Sequence, residues 1–280
     1  MAALGRGPCR LRGLLHSDDT HVMLTALQLI SDVKFTWEEG GDVLCVDGCA
    51  GKLHPADTPL YLGNAGTASR FLTTTCALIA ADGAPGTTLT GDPRMKERPI
   101  SDLTDALLKM GCAIEHVESK GSLPIVVRAK GLAGGEVVLS GKVSSQFVSS
   151  VLLSAPYAQS PVVLRVPEAV SQQYIEMTLK LMSTFGVQVE RVGTTEYRVP
   201  RGVYTNPPAL DVEADASSAT CGVCTRSSAR RSGASPAPVR RQSGAAHARA
   251  RARHLASRRP SSNLPRAATR SRSRLLPAAT

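Results

Sequence analysis

The chain has 280 residues, 42% of them hydrophobic and only 4% aromatic, with a formal net charge of +10. The charge is unevenly placed: residues 221–280 hold 14 arginines and no Lys, Asp or Glu, leaving 19 basic and 23 acidic residues, a net −4, in the first 220. That body is long enough to bury a real core, and no run of 18 apolar residues marks a membrane-spanning helix.

Met1–Arg6 has no sustained apolar stretch, so no signal peptide is expected. Asp18 and Asp19 look like the acids of a helix start. Leu27–Phe35 reads as a helix end passing into a strand, and Val43–Gly48 as a second β-like run closed by glycine. The segment Leu62-Gly63-Asn64-Ala65-Gly66-Thr67-Ala68-Ser69-Arg70 is a glycine turn running into the apolar stretch Phe71–Ala80. It predicts a helix starting near Gly66, whose free N–H groups and dipole favour an anion. Gly63 and Gly66 let backbone approach a ligand closely, and Arg70, about one turn in, adds positive charge.

Thr87–Thr90 is β-like, and Gly91–Ile100 then carries Arg94, Lys96 and Arg98 within five residues. The forks of Arg94 and Arg98 suit phosphate or carboxylate oxygens, and Pro99 suits the first turn of the next helix. Ala106–Glu115 ends a helix at Gly111 and begins a strand, followed by a β-like run over Ile125–Gly131. Ser144-Ser145-Gln146 opens the apolar helix Phe147–Leu153, and Ser171 precedes another over Tyr174–Leu179. A capping serine accounts for one such residue per helix, at about 1 kcal/mol. Three hydrogen-bonding side chains at one helix start exceed that need. Leu179–Glu190 repeats the helix–glycine–strand unit at Gly186, with Tyr197–Gly202 as its second β-like run. This threefold repetition predicts an α/β fold with sheets facing one hydrophobic centre.

Residues 221–280 are Arg, Ala, Ser and Pro without Phe, Tyr, Trp, Ile or Met, and are expected to be disordered. A basic tail suits nucleic acid or membrane. Arginine without a single lysine instead points to codons read out of frame, which argues against a nucleic-acid partner. Seven scattered cysteines, an odd number, suit a reducing, cytoplasmic setting. Cys221-Gly222-Val223-Cys224 is a lone CxxC without a second pair or a histidine at zinc spacing, so no metal site is expected.

Five segments in order resemble 5-enolpyruvylshikimate-3-phosphate (EPSP) synthase, 3-phosphoshikimate 1-carboxyvinyltransferase. They are Leu62–Arg70, Gly91–Ile100, Leu139–Phe147, Ser171–Thr178 and Val212–Thr220. The phrasing is nearest to the synthase segment of the fungal pentafunctional AROM polypeptide, and the resemblance covers roughly residues 1–220. It implies two globular domains, each of three βαβαββ units, with substrates in the cleft between them. Residues 1–220 are similar to the first domain, and 221–280 form an unrelated tail. By this resemblance Ser144, Ser145, Gln146, Ser171 and Tyr174 hold shikimate 3-phosphate and Thr67 lines that site. Asn64, Gly66 and Arg94 face phosphoenolpyruvate. The implied reaction is carboxyvinyl transfer, without metal or cofactor.

The family's Lys-Ser-x-Ser-x-Arg segment and its second domain, which carries the acid/base carboxylates, have no counterpart here. Catalytic residues are therefore unassigned, and the expectation is an incomplete copy, inactive alone. Asp215 reads as a turn residue near the interdomain crossing. Two alternatives stand beside this one. UDP-N-acetylglucosamine enolpyruvyl transferase shares the architecture but lacks this motif combination. The other is a non-catalytic anion or nucleic-acid binder working through the tail.

Overall fold

In the computed structural model, residues 1–80, 83, 85–128, 130–168 and 171–213 are described. The Arg-rich tail, Asp215 and the Cys221–Cys224 pair lie outside the described residues. In chain order the elements begin with β1 (Pro8–Arg12), α1 (Asp18–Leu29), β2 (Lys34–Glu38) and β3 (Val43–Asp47). Next come β4 (Leu60–Tyr61), α2 (Gly66–Ala77), β5 (Thr87–Thr90), α3 (Pro93–Lys96), α4 (Ser101–Lys109), β6 (Ala113–His116) and β7 (Ile125–Arg128). The remainder is β8 (Gly135–Val138), α5 (Ser145–Ser154), β9 (Val162–Arg165), α6 (Gln172–Thr184), β10 (Glu190–Val192), β11 (Glu196–Val199) and β12 (Ala209–Asp211).

The strands of the described residues form three four-stranded sheets, ordered β4-β5-β7-β6, β8-β9-β11-β10 and β12-β1-β3-β2. In each sheet the first pair is parallel and the next two are antiparallel. Two sheets are built by consecutive βαβαββ stretches, the first running from β4 to β7 and the second from β8 to β11. The third is closed from both ends of the described chain. Here β12 lies parallel to β1, with Arg10 opposite Ala209 and Leu11 opposite Leu210. The α/β class and the threefold repetition are thus present, but the third repeat is completed by a strand about 200 residues away.

Helices α2 and α5 occupy the centre. α2 buries nine of its 12 residues and α5 eight of its 10. Both are rich in Ser and Thr, and burying a hydroxyl without a partner is costly. Most of these hydroxyls donate back to the preceding turn: Thr73 to the Ser69 carbonyl at 2.7 Å, Thr75 to that of Phe71 at 2.9 Å and Ser150 to that of Phe147 at 3.0 Å. Thr74 links the two helices through Ser150, 3.1 Å away. Outer helices bury only a stripe, as Leu103, Thr104, Ala106 and Leu107 do on α4 and Ile175, Thr178 and Met182 on α6. Leu72, Leu89, Leu107, Ile125, Phe147 and Leu164 belong to the main core and are fully buried.

Gly111 and Gly186 follow α4 and α6 with φ of +86° and +85°. They are the left-handed stops expected of helix-ending glycines. After Gly186 the paired strand begins only at Glu190, because Val187 turns into the core instead. The Gly91–Ile100 segment is not a plain loop: Pro93 occupies the first turn of α3, with Asp92 at its N-cap. Pro99 stands just outside α4, whose N-cap is Ile100. At the far end of α5, Tyr157 donates to the Leu4 carbonyl at 2.5 Å and Tyr204 to the Leu153 carbonyl at 2.8 Å. Their rings meet edge-on at 5.6 Å. No helix among the described residues is long and apolar enough to cross a membrane.

Candidate functional site

The first turns of α2 and α5 touch. Gln146 Nε2 donates to Thr67 Oγ1 at 3.1 Å, so two sets of unpaired helix N–H groups open on one place. The turn before α2 is held by the end of β5 and the residues just after it. Leu62 N donates to Thr90 O at 2.8 Å, Asp92 N donates to Gly63 O at 2.9 Å, and the Tyr61 hydroxyl donates to the Asp92 carboxylate. Gly63 takes a φ of +54°, which a residue with a side chain adopts only under strain.

Arg70 folds back from the second turn of α2 over the helix start. Its Nη1 donates to Gly66 O and to Gln146 Oε1, each at 3.0 Å. Its Cζ lies 5.5 Å from the Phe147 ring centre, close enough for cation–π attraction. Its Nε is buried without a partner. Arg98 comes in from the other side, with Nη1 donating to Asn64 O at 3.3 Å. A Cβ built on Gly66 would collide with the guanidinium ends of both arginines, so this glycine is where the two cations converge. Burial first, and then the charge of Arg98, push the Arg70 pKa down from its ordinary value. Arginine stays charged even so.

These groups wall a cavity of about 540 Å³ lined by Thr67, Arg70, Phe71, Arg98, Ser144, Ser145, Gln146, Ser149, Tyr174, Met177 and Thr178. The lining has two guanidiniums and no carboxylate, a balance that favours an anionic ligand. Ser144 is the N-cap of α5 and accepts from Gln146 N at 3.2 Å, as a capping serine does. Ser145, nearly buried, has no hydrogen-bond partner among the described residues, which leaves its hydroxyl to the cavity.

Of the residues expected to bind substrate, Thr67, Ser144, Ser145, Gln146 and Tyr174 line this cavity. Gly66 lies beneath the two arginines, and Asn64 contributes its carbonyl to Arg98. Ser171 occupies the N-cap position of α6 without making a cap bond, and is outside the lining. Arg94 is exposed on α3, also outside it. Arg70 and Arg98, noted only as cations in the sequence, face the cavity directly. Ser149, Met177 and Thr178 also line the cavity, and helical spacing places them there. They follow Ser145 and Tyr174 by four, three and four residues, on the same helix faces. Among the described residues no three His, Cys, Asp or Glu side chains are grouped to hold a metal ion.

The fold is similar to that of EPSP synthase from Acinetobacter baumannii, with a TM-score of 0.67 and 24% identity over 78% of this chain and 47% of that one. It is also similar to the enolpyruvyl transferase NikO from Streptomyces tendae, with a TM-score of 0.54 and 17% identity over 80% of this chain and 50% of that one. The chain spans about half the length of these solved structures. At such identities the likeness speaks for the architecture. The family itself rests on the sequence profile of EPSP synthase (3-phosphoshikimate 1-carboxyvinyltransferase), which matches residues 1–224. With that match across most of its length, the chain belongs to the EPSP synthase family.

Proposed function

We propose that residues 1–220 form a shikimate 3-phosphate-binding domain for carboxyvinyl transfer. In this reading Thr67, Ser144, Ser145, Gln146, Ser171 and Tyr174 hold shikimate 3-phosphate, and Asn64, Gly66 and Arg94 face phosphoenolpyruvate. The observation that carries it is the convergence of Arg70 and Arg98 on Gly66 at the start of α2, in a cavity without a carboxylate. Both substrates are anions, and both gain from cations and helix N-termini fixed in advance.

In the reaction, the 5-hydroxyl of shikimate 3-phosphate gives up its proton as its oxygen bonds to C2 of phosphoenolpyruvate, while C3 takes up a proton. The tetrahedral intermediate then loses phosphate from C2 and a proton from C3, leaving the enol ether and inorganic phosphate. Arg70 and Arg98 stabilise the anions throughout. No lining residue is an acid, so these residues bind and orient rather than relay protons. Proton transfer by a positioned acid or base is worth about 10²–10⁴-fold, so the expected phosphate release by this chain alone is low. Isothermal titration of the 280-residue chain with shikimate 3-phosphate tests the reading. Binding that weakens with added salt is expected, and no heat at millimolar ligand would count against it.

A further inference from the structure

The two units that are continuous in the chain each place a helix at the centre of the fold. α2 joins the parallel strands β4 and β5, and α5 joins β8 and β9. These helices run side by side in one direction, since Gln146 meets Thr67 at their starts and Ser150 meets Thr74 further along. β12 and β1 are the corresponding parallel pair of the third sheet. Among the described residues no third helix stands beside α2 and α5. Ahead of β1 there is a single turn, Met1–Gly5, in which Leu4 N and Gly5 N both donate to the Met1 carbonyl at 2.9 Å. The outer helix of this unit is correspondingly uncovered: α1 buries only Ala26, whereas α4 buries four residues and α6 three. Met23 and Leu27 of α1 instead line two apolar cavities of about 480 and 270 Å³, which also share Met1, Ala3 and Thr67 and so form one groove. The facing wall is α2, through Thr67, Phe71 and Thr75, one face of the helix over about 12 Å.

The groove continues the α2–α5 interface. At one end it meets the anion cavity, whose lining also includes Thr67 and Phe71, and Leu153 and Ser154 of α5 line the other end. Asp19, in the first turn of α1, is the one charged side chain of its lining among the described residues. We propose that this groove docks a partner helix of 10–12 residues, apolar toward α1 and α2, which runs parallel to α2 with its start beside Thr67. The lengths of α2 and α5 set its size. Asp19 complements the positive end of its dipole. Its start adds unpaired N–H groups to the rim of the anion cavity, so docking and anion binding reinforce one another.

Titration of the full chain with a helical peptide, followed by protein-detected NMR in the absence of any added oxyanion, tests this. The probe is acetylated, amidated and about 12 residues long: serine first, then alanine, leucine and valine, with two lysines at the end. Saturable shifts at Met23, Leu27 and Phe71 are expected. Met23→Glu should weaken binding about tenfold, because it puts a carboxylate in the apolar wall. Leu29→Glu, on α1 but outside the lining, should leave binding unchanged. The same peptide with a central proline should not bind. With the peptide saturating, inorganic phosphate should bind about twofold to fivefold tighter. No saturable binding at millimolar peptide overturns the proposal, as does equal binding to Met23→Glu, and as does docking that leaves phosphate affinity unchanged. Shifts at the same residues on concentrating the chain alone would make a second copy the occupant, and would also overturn it. Docking is read without an anion, so its failure is distinct from a failure of the shikimate 3-phosphate reading.

Discussion

Arg70 on α2 and Gln146 on α5 are joined across the helix seam, with Nη1 3.0 Å from Oε1, and the same amide reaches Thr67 through Nε2 at 3.1 Å. One side chain therefore aligns a half-buried cation and a hydroxyl on the rim of the cleft. Gln146 sits where a substrate contact was expected, and its amide is already committed to placing its neighbours.

If Arg70 and Gln146 act as one unit, their losses will not add. Arg70→Ala should weaken binding of shikimate 3-phosphate by about tenfold to a hundredfold, the worth of a hydrogen bond to a charged group. Gln146→Ala should cost less. A double-mutant cycle read by titration should give a coupling of about 0.5–3 kcal/mol. Additivity within about 0.5 kcal/mol would mean that the contact contributes nothing to binding.

Gly66→Ala adds a methyl where the two guanidiniums meet. The obstructing atoms are flexible side-chain ends, so the fold should survive, and alanine suits a helix better than glycine. The thermal midpoint is expected to hold or rise. Binding of both anions should weaken by roughly fivefold, about 1 kcal/mol of crowding. A fall in the midpoint with unchanged affinity would contradict this placement of the arginines.

Arg94 tests the proposed separation of the two substrate positions. It is exposed on α3 and outside the cavity lining, so Arg94→Ala should change stability by no more than about 0.5 kcal/mol. Binding of shikimate 3-phosphate should be nearly unchanged, while the apparent affinity for phosphoenolpyruvate in its presence should fall. Equal losses for both ligands would remove Arg94 from the phosphoenolpyruvate side.

Two core thiols set a pH dependence. Burial pushes the Cys76 thiol well up and that of Cys112 up from 9.0 to about 12. Both stay protonated in the fold, whereas the unfolded chain loses those protons above about pH 8.5. The unfolded state then binds fewer protons, so stability falls as pH rises from about 9 towards 12, by up to about 1.4 kcal/mol per pH unit per thiol. Urea unfolding between pH 8 and 10.5 should show this slope, and it should be shallower in Cys112→Ala. Alkylation of either thiol at neutral pH should require unfolding.

Most of the local chemistry that depends on neighbours in the chain was legible. The starts of α2, α5 and α6 followed from Gly66, Ser144 and Ser171, and β5 from Thr87–Thr90. Caps, glycine stops and β-like runs act over a few residues. The α3 turn was missed, since four residues begun by a proline make a weak signal. Its consequence is functional. The helix ends at Lys96, the chain turns, and Arg98 points back to Asn64 while Arg94 stays outside.

The sequence by itself determined the α/β repeat and the anion-favouring helix starts, and the resemblance it carries pointed to Thr67, Ser144, Ser145, Gln146 and Tyr174, which line the cavity. Tertiary structure alone decided that β12 pairs with β1, because the three residues Ala209–Asp211 carry no local signature and their partner lies about 200 residues away. It also decided that α2 and α5 meet at their first turns, which brings Arg70 to Gln146 across 76 residues of chain. Such meetings depend on how buried helix faces pack, a property of the whole core that no short window of sequence contains.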